Sequence, residues 1–314
     1  MRLPLTPVFD LQGHRGARGL FPENTLEGFA RTLAIGVTSV ELDVAVTSDG
    51  VAVVVHDPAL DPDLTRGADG AWLTGDGPDV LSLTWAELAA YDVGRIRPGS
   101  ALAAAFPEQV PQDEARVPRL ADVIAQVTRH GVRVDAELKT DPRTPGRTVS
   151  PEVMAGLTIA AAAAAGAAGL FSVRSFDWRG LRYLRQTHPE VPLAWLTDAA
   201  TEAAPDLWWH PLGAPAGNPS VDRSTAAAVA AEAFALGKPD WVPVWAPEYR
   251  GLTAWQIGEA HALGLRVVPW TVNDPADMVM LIVLGVDGLC TDRPDLARRA
   301  MAAFALVPPP PVRG

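Results

Sequence analysis

Three acidic side chains stand at spacings that could build one metal site. Glu41 and Asp43 lie two residues apart in the apolar run 40–44, and Glu137 lies in the similar run 132–138. Each run predicts a β-strand, and because side chains alternate along a strand, Glu41 and Asp43 face the same way. Carboxylates beside a core are costly to bury unless a metal or a cation neutralises them. Three hard oxygen ligands favour Mg²⁺ or Ca²⁺.

Two other arrangements of the same acids remain open. Arg15 and Lys139 could pair with the inward-facing carboxylates in a buried salt-bridge network that holds no metal. A Zn²⁺ site that adds His14 and His56 is the third possibility, although neither histidine has a familiar zinc-binding spacing. The residues therefore predict a cluster and leave open what neutralises it.

His14 and His56 are the two histidines placed for proton transfer. His14 follows a short predicted strand, and His56 ends the apolar run 51–55 after the tight turn 48–50 of a predicted hairpin. Both lie at strand ends beside the acids, whereas the four other histidines have no such setting. Histidine is the side chain best suited to move protons near neutral pH. Two histidines beside a phosphate would serve as general acid and general base.

Two basic side chains could hold phosphate oxygens. Arg15 directly follows the first of these histidines, and Lys139 follows the third acid by two residues on the same strand face. Only two of the 26 Lys and Arg residues are lysines, Lys139 and Lys238. This rarity indicates a functional role at position 139 for which arginine is unsuited. Arg15 could instead form a salt bridge. Trp270 could be a platform for an apolar or glycerol-like group, or a core residue.

The order of predicted elements places these residues at one end of a barrel. Eight strands, each followed by a helix, favour a closed (β/α)8 TIM barrel over an open doubly wound sheet, and no Gly-x-Gly-x-x-Gly motif opens a helix. In such a barrel, the chemistry lies at the C-terminal ends of the strands. The predicted strands are 9–13, 40–44, 132–138, 170–173, 193–196, 241–244, 266–270 and 286–290.

Three stretches fall outside this alternation within a single predicted domain, 1–314. Residues 58–118 are rich in Pro, Gly and Asp, contain one predicted helix at 84–91, and are expected to form an insertion subdomain near the barrel mouth. Residues 199–221 are predicted to form a second irregular segment. Residues 307–314 are a proline-rich tail that is expected to have no core to join.

The composition argues against several classes of partner. A net charge of −11 disfavours a nucleic-acid backbone or an anionic membrane as the main partner. Cys290 is the only cysteine, so no disulfide can form within the chain. No run suits a membrane span, and no secretory signal is visible. As the sequence stands, a cytoplasmic location is expected, with a periplasmic or secreted one if the chain is truncated. The oligomeric state is not predicted.

The candidate residues fall in motifs that resemble those of the glycerophosphodiester phosphodiesterases. The resemblance runs from about residue 10 to about residue 300. In chain order the motifs are His14-Arg15-Gly16, Pro22-Glu23-Asn24-Thr25, Glu41-Leu42-Asp43-Val44, Asp49-Gly50, His56-Asp57, Glu137-Leu138-Lys139, the run 267–273, the run 285–288 and Thr291-Asp292-Arg293-Pro294.

The resemblance implies a (β/α)8 barrel with a small insertion after the second strand. It also implies metal-dependent hydrolysis of small glycerophosphodiesters to sn-glycerol 3-phosphate and an alcohol. The alternatives are a phospholipase D-like lyase that forms a cyclic phosphate from lysolipids, and a catalytically silent phosphodiester-binding barrel. By matching position, the roles implied are one divalent cation for Glu41, Asp43 and Glu137, acid-base catalysis for His14 and His56, and phosphate binding for Arg15 and Lys139.

Overall fold

Nine β-strands run through the residues that the computed structural model describes, 8–167, 169–209 and 224–312. Eight of them follow one another as parallel neighbours, and the third pairs antiparallel with the second as a hairpin arm. The strands are β1 (Asp10–Gly13), β2 (Ser39–Val46), β3 (Ala52–Val54), β4 (Arg133–Leu138), β5 (Phe171–Ser175), β6 (Leu193–Thr197), β7 (Val244–Pro247), β8 (Arg266–Val267) and β9 (Gly288–Thr291).

The parallel strands close on themselves almost completely. Their order is β8-β7-β6-β5-β4-β2-β1-β9, so β8 and β9 are the two ends of the series. Backbone hydrogen bonds join these ends: for example, the amide of Asp287 donates to the carbonyl of Val267 at 2.8 Å, and the amide of Cys290 donates to that of Pro269 at 3.0 Å. The nearly closed barrel of eight parallel strands, with helices between them, confirms the predicted (β/α)8 fold.

Helices connect the strands, and polar side chains begin many of them. Thr25, Ser150 and Asp177, for example, accept hydrogen bonds from amides of the first turn. None of the helices in the described ranges has the length and apolar character that crossing a bilayer requires. The helices are α1 (Leu26–Ile35), α2 (Trp85–Leu88), α3 (Ala101–Ala105), α4 (Leu120–Thr128), α5 (Pro151–Ala164), α6 (Trp178–Thr187), α7 (Ala199–Glu202), α8 (Pro205–Trp208), α9 (Thr225–Phe234), α10 (Ala254–Ala262), α11 (Pro275–Leu284) and α12 (Pro294–Ala303).

Several buried side chains of β1, β4 and β5 are charged. Arg174 on β5 is 1% exposed and donates from Nε to Asp135 on β4 at 2.8 Å. Arg133, at the start of β4, lies 2.6 Å from a carboxylate oxygen of Asp10 on β1. An unpaired charge is strongly disfavoured inside a protein. Each of these charged side chains can be buried because it is paired with one of opposite charge.

Residues 58–118, between β3 and α4, are mostly irregular and contain α2, α3 and a short 3₁₀ helix, Val80–Ser82. The helix predicted at 84–91 ends early at Leu88, because Tyr91 and Val93 turn in to pack on a small apolar cluster. Buried members of that cluster come from the segment itself and from β2 and β3: Ala45, Val53, Leu60, Val80, Leu88 and Val117.

The position predicted for the sixth strand, 241–244, is wrong: the strand, β7, lies three residues later, at Val244–Pro247. Pro243 has no amide proton to donate, so the ladder begins after it. Trp245 lies in the barrel and is buried, whereas the indole of Trp241 donates to the carbonyl of Pro189 at 2.9 Å.

The segment predicted to be irregular at 199–221 begins with two short helices, α7 and α8. Asp198 begins α7 by accepting a hydrogen bond from the amide of Thr201 at 2.8 Å, and Pro205 is the first residue of α8. The prediction is therefore wrong for these residues, and positions 210–221 lie outside the described residues.

The proline-rich tail does join the core, contrary to the prediction. The amide of Val312 donates to the carbonyl of Leu33 in α1 at 3.0 Å, and Arg298 of α12 donates to the carbonyl of Pro309. Leu306, just before the tail, and Val312, within it, pack against the main apolar core. Val312 and the two hydrogen bonds therefore place the described part of the tail against α1 and α12.

Candidate active site

Three carboxylates meet at the C-terminal ends of β2 and β4. Asp43 and Glu137 are neighbours across the parallel ladder, and Glu41 lies two residues before Asp43 on the same face. Glu41 and Asp43 are 1% exposed, and Glu137 is 8% exposed. One oxygen from each lies within 4.8 Å of the others. The structure thus brings together the three acids that the sequence singled out.

This cluster fits a hard divalent cation. Oxygen ligands of Mg²⁺ and Ca²⁺ lie about 2.0–2.6 Å from the ion, so two oxygens on one ion are at most about 5 Å apart. The oxygens of Glu41, Asp43 and Glu137 meet that condition. Oδ1 of Asp43 is buried and accepts no hydrogen bond from the described residues, which leaves it able to bind an ion. The cluster found there contains carboxylates alone, so Zn²⁺ with His14 and His56 gains no support.

Two cationic side chains lie against the acids. Nε of Arg15 lies 3.2 Å from Oδ2 of Asp43, and its Nη1 donates to Glu23 at 2.9 Å. Nζ of Lys139 donates to Oε1 of Glu137 at 2.7 Å and lies 3.6 Å from Oδ1 of Asp43. The predicted salt bridges are therefore present, yet two cations do not balance three acids and Glu23. The site still has negative charge for a cation to neutralise.

Glu41 and Asp43 have opposite pKa shifts. Burial raises the pKa of Glu41 well above its usual range, and repulsion from Asp43 adds to this effect. Burial also opposes ionisation of Asp43, but the neighbouring Arg15, His56 and Lys139 outweigh it and hold the pKa of Asp43 well below its usual range. A cation bound between the two carboxyls would favour the ionised form of Glu41, because it would offset the repulsion from Asp43.

The loop after β1 has an uncommon backbone conformation. Arg15 and Ala17 have φ angles of 50° and 58°, and Asn24 has 54°, although none of them is glycine. The amide of Arg15 donates to Oε2 of Glu41 at 3.1 Å, and the side-chain amide of Asn24 donates to Oδ2 of Asp43 at 2.9 Å. Arg15 and Asn24 thus contact the acids from this uncommon backbone conformation. Strain of this kind is concentrated at functional sites.

His14 is held by Asp292, which follows β9. Nδ1 of His14 lies 2.5 Å from Oδ1 of Asp292. Burial lowers the pKa of His14, although Asp292 opposes this shift, so the imidazole is neutral near pH 7. Burial would raise the pKa of Asp292, but His14 and Arg18 outweigh it and hold that pKa well below its usual range. An ionised carboxylate only accepts, so Nδ1 carries the proton and Nε2, 3.9 Å from Oε2 of Glu41, is left as a base.

The predicted hairpin carries His56 back to the same site. Beyond β3, the amide of Val55 donates to the carbonyl of Asp43 at 3.0 Å, which places the next residue beside the acids. Nδ1 of His56 lies 2.8 Å from Oδ1 of Asp57. The side chain of His56 is 28% exposed, against 11% for His14. One histidine is therefore deep in the site and the other is at its open edge.

A pocket of about 470 Å³ is lined by both histidines and by two of the acids, Glu41 and Glu137. The indole of Trp270 donates to the carbonyl of Ala246 at 2.9 Å and meets the ring of Phe176 edge to face at 5.3 Å. Trp270 therefore lines the pocket while it packs on the barrel wall, and the Trp270–Thr271 peptide bond is cis. Of the residues singled out from the sequence, the pocket is lined by His14, Arg15, Glu41, His56, Glu137, Lys139 and Trp270.

A second, larger pocket of about 1,010 Å³ adjoins the first. The two share His56, Glu137, Lys139 and Phe176, so they meet at Glu137, one acid of the cluster. The larger pocket extends between the loop after β4 and the helices that follow β6. It gives a substrate room on one side of the site.

Several contacts were not predicted from the sequence. Asn24 lies one residue before Thr25, which caps α1, and its side-chain amide donates to Asp43. Asp292 belonged to a recognised motif without an assigned role. Arg18 and Arg174 could not be identified as site residues from the sequence. Neither lies in one of the family motifs, and single arginines are common in this chain. Only the folded barrel shows that Arg174 lines the pocket.

The fold and the site together define a (β/α)8 barrel with a buried acid cluster and two histidines at one pocket. The sequence model of the glycerophosphoryl diester phosphodiesterase family matches residues 14–296. That match covers most of the chain, and it includes every candidate site residue from His14 to Trp270. The chain therefore belongs to the glycerophosphoryl diester phosphodiesterase family, and it is an enzyme of the phosphoric diester hydrolase class.

Individual relatives agree with this assignment. A protein of Silicibacter pomeroyi DSS-3, provisionally assigned as a glycerophosphoryl diester phosphodiesterase, has a crystal structure with a TM-score of 0.83, 34% identity and 96% coverage of both chains. A glycerophosphodiester phosphodiesterase of Bacillus subtilis is 26% identical and aligns over 93% of this chain and 86% of its own. An Oleispira antarctica phosphodiesterase, solved with the product sn-glycerol-3-phosphate, shares the fold with a TM-score of 0.65 at 21% identity, over 93% and 96% of the two chains.

Proposed function

We propose that this chain hydrolyses small glycerophosphodiesters to sn-glycerol 3-phosphate and an alcohol, with one divalent cation, Mg²⁺ or Ca²⁺. One observation carries the proposal. Two histidines, each with Nδ1 within hydrogen-bond distance of a carboxylate, line the same pocket as Glu41 and Glu137 of the buried acid cluster. The family match and the product bound to the Oleispira antarctica phosphodiesterase support the choice of substrate class.

Arg15 and Lys139 would bind the phosphate group of the diester. Both line the pocket, and both remain charged because the surrounding acids raise the pKa of each side chain against the effect of burial. Glu41, Asp43 and Glu137 would hold the cation, which would supply Lewis-acid polarisation of a phosphoryl oxygen. Positive charge fixed in a buried pocket stabilises the negative charge that develops in the transition state.

His14 and His56 would perform the two proton transfers. Nε2 of His14 is the free base inside the pocket, and it would take the proton from the attacking hydroxyl as the new oxygen-phosphorus bond forms. His56 would protonate the alkoxide as the old phosphorus-oxygen bond breaks. His56 also lines the larger pocket, so the alcohol would leave on that side. The exposed edge occupied by His56 suits the release of a leaving group.

The attacking hydroxyl is either water or the 2-hydroxyl of the glycerol. Water gives sn-glycerol 3-phosphate directly, whereas the 2-hydroxyl gives a cyclic phosphate first. Phosphorus NMR of a single turnover distinguishes the two products. A cyclic phosphate that persists as the final product would favour the lyase alternative.

A coupled assay tests the proposal as a whole. The protein is incubated with glycerophosphocholine and Mg²⁺ or Ca²⁺, and sn-glycerol 3-phosphate is detected with its dehydrogenase. We expect product with metal and none in excess EDTA. The same assay with glycerophosphoethanolamine and glycerophosphoglycerol covers other head groups. Failure to turn over any of these diesters, with the cation demonstrably bound, would contradict the proposal and favour a silent binding protein.

A further inference from the structure

Arg18 lies between the active site and the irregular segment 58–118. Its Nε donates to Oδ1 of Asp292 at 3.0 Å, the same oxygen that lies 2.5 Å from Nδ1 of His14. On the other side, the guanidinium carbon lies 4.8 Å from the ring centre of Phe106. The arginine thus links an aromatic ring of the segment to the carboxylate that holds His14.

Further bonds fix the same part of the segment, residues 106–110, which we call the docking strip. The side-chain amide of Gln109 donates to the carbonyl of Arg18 at 2.7 Å, and the amide of Val110 donates to the carbonyl of Leu20 at 2.8 Å. Glu108 accepts a hydrogen bond from Arg293, the residue after Asp292, at 2.8 Å. The docking strip therefore contacts the loop that follows His14 and the residue that follows Asp292.

The two oxygens of Asp292 have separate partners. Oδ1 accepts hydrogen bonds from His14 and Arg18, and Oδ2 accepts one from the side chain of Asn273 at 2.7 Å. A carboxylate bound at both oxygens is fixed in rotation, so it orients the imidazole. Arg18 has another acceptor available, because its Nη1 lies 3.7 Å from Oε2 of Glu23. A guanidinium freed from Phe106 could turn towards that acid.

We propose that the docking strip is a positioning element for His14: it holds Arg18 against Asp292 and through Asp292 fixes the imidazole. The residues that act are Phe106 and Gln109, and neither lies against the acid cluster. Where the reaction rate is the readout, this inference rests on the proposed function. Its structural part does not, because the geometry of His14 can be measured without turnover.

Phe106→Leu is the decisive variant, because leucine keeps apolar volume and lacks the π face that attracts a guanidinium. We expect kcat to fall about three- to tenfold, in line with the loss of one partly buried cation-π contact. KM and the affinity for the cation are expected to stay unchanged, since His14 acts in the transition state. Phe106→Tyr keeps the ring and is expected to restore kcat.

Trp72→Leu is the matched control. Trp72 lies in the same segment and also faces arginines, with Arg66 at 5.6 Å and Arg97 at 5.3 Å from its ring centre. Its removal therefore disturbs the segment without touching Arg18. Equal losses of kcat in Phe106→Leu and Trp72→Leu would show a general effect of the segment and overturn the proposal. Wild-type kcat in Phe106→Leu would do the same.

A second readout does not depend on activity. The Nδ1 proton of His14, bonded to Asp292, is expected as a downfield, slowly exchanging NMR signal, assigned by its loss in His14→Gln. Faster exchange in Phe106→Leu, but not in Phe106→Tyr or Trp72→Leu, supports positioning. An unchanged signal in Phe106→Leu overturns it. If the wild type turned over no diester, the proposed function would fail while this signal still decided the role of the strip.

Discussion

Nζ of Lys139 lies 2.7 Å from Oε1 of Glu137, two residues earlier on the same strand end. It also lies 3.6 Å from Oδ1 of Asp43. Burial alone would lower the pKa of Lys139, but Glu137 and Asp43 outweigh it and raise that pKa, so the side chain is charged. A compact ammonium group can stand between two acids and still face the pocket. The broad planar guanidinium of arginine has a different shape and hydrogen-bond geometry.

We expect Lys139→Met to lower kcat/KM about 100-fold, the order found for loss of one preorganised donor to a developing oxyanion. Lys139→Arg keeps the charge but is expected to recover only part of this loss, because the guanidinium cannot occupy the same position. Steady-state kinetics on glycerophosphocholine measures both variants. Lys238→Arg, at the exposed second lysine, is the control. Equal activity of Lys139→Arg and Lys238→Arg would show that only charge matters at position 139.

The acid cluster makes a prediction about metal. Glu41→Gln, Asp43→Asn and Glu137→Gln each remove one anionic ligand at nearly constant volume, so each is expected to weaken cation binding at least about tenfold. Titration calorimetry with Mg²⁺ and Ca²⁺ measures the affinity, and Glu152→Gln on the surface of α5 is the control. Full activity of the wild type in excess EDTA, with no metal detected in the protein, would exclude the three-carboxylate site.

The two histidines are expected to be separately essential. His14→Ala and His56→Ala should each lower kcat by about 10²- to 10⁴-fold, the range typical of acid-base catalysis. The expected loss arises in the chemical step, so single-turnover measurements should show it with substrate binding retained. His130→Ala removes an exposed histidine and is expected to have no effect. Activity within tenfold of the wild type in either site variant would remove that histidine from the mechanism.

Much of the barrel could be predicted because its signals are local. Strand β2 is an apolar run in which two acids lie two residues apart. Because side chains alternate along a strand, this spacing alone places Glu41 and Asp43 on one face. The barrel then follows from eight strand-helix units, and the rule that chemistry lies at the C-terminal strand ends brings Glu137 to the same place. Local sequence was sufficient here because each step depends on a short range of residues.

Other features depend on distant contacts, which no local pattern records. Asp292 reaches His14 across 278 residues of sequence, and only closure of the barrel brings β9 beside β1. Asn24 and Thr25 are equally good helix caps by composition, and the contact of Asn24 with Asp43 decides between them. The buried Arg174 could not be predicted, because the strand predicted at 170–173 stops one residue before it, and an arginine at a strand end is equally compatible with an outward-facing position.

The buried pair of Asp10 and Arg133 predicts how stability depends on pH. Asp10 is 3% exposed and also accepts hydrogen bonds from Ser39 at 2.9 Å and from Gln12 at 3.0 Å. Burial would raise the pKa of Asp10, but Arg133 outweighs it and lowers that pKa below its usual range. A carboxyl whose pKa is lower in the folded state stabilises the fold above its unfolded pKa. That contribution is lost as the pH falls through the folded pKa.

Asp10→Asn is therefore expected to lower the free energy of unfolding by about 2–3 kcal/mol at pH 7, the order of a hydrogen bond to a charged partner. The gap between variant and wild type should begin to narrow near pH 4, where the unfolded carboxyl takes up its proton, and should shrink further as the pH falls. Urea unfolding followed by circular dichroism at several pH values measures it. Asp122→Asn removes an exposed pair with Arg119 and is expected to change stability by less than about 1 kcal/mol. A gap for Asp10→Asn that does not change between pH 7 and pH 3 would show that the charge of Asp10 contributes nothing to stability.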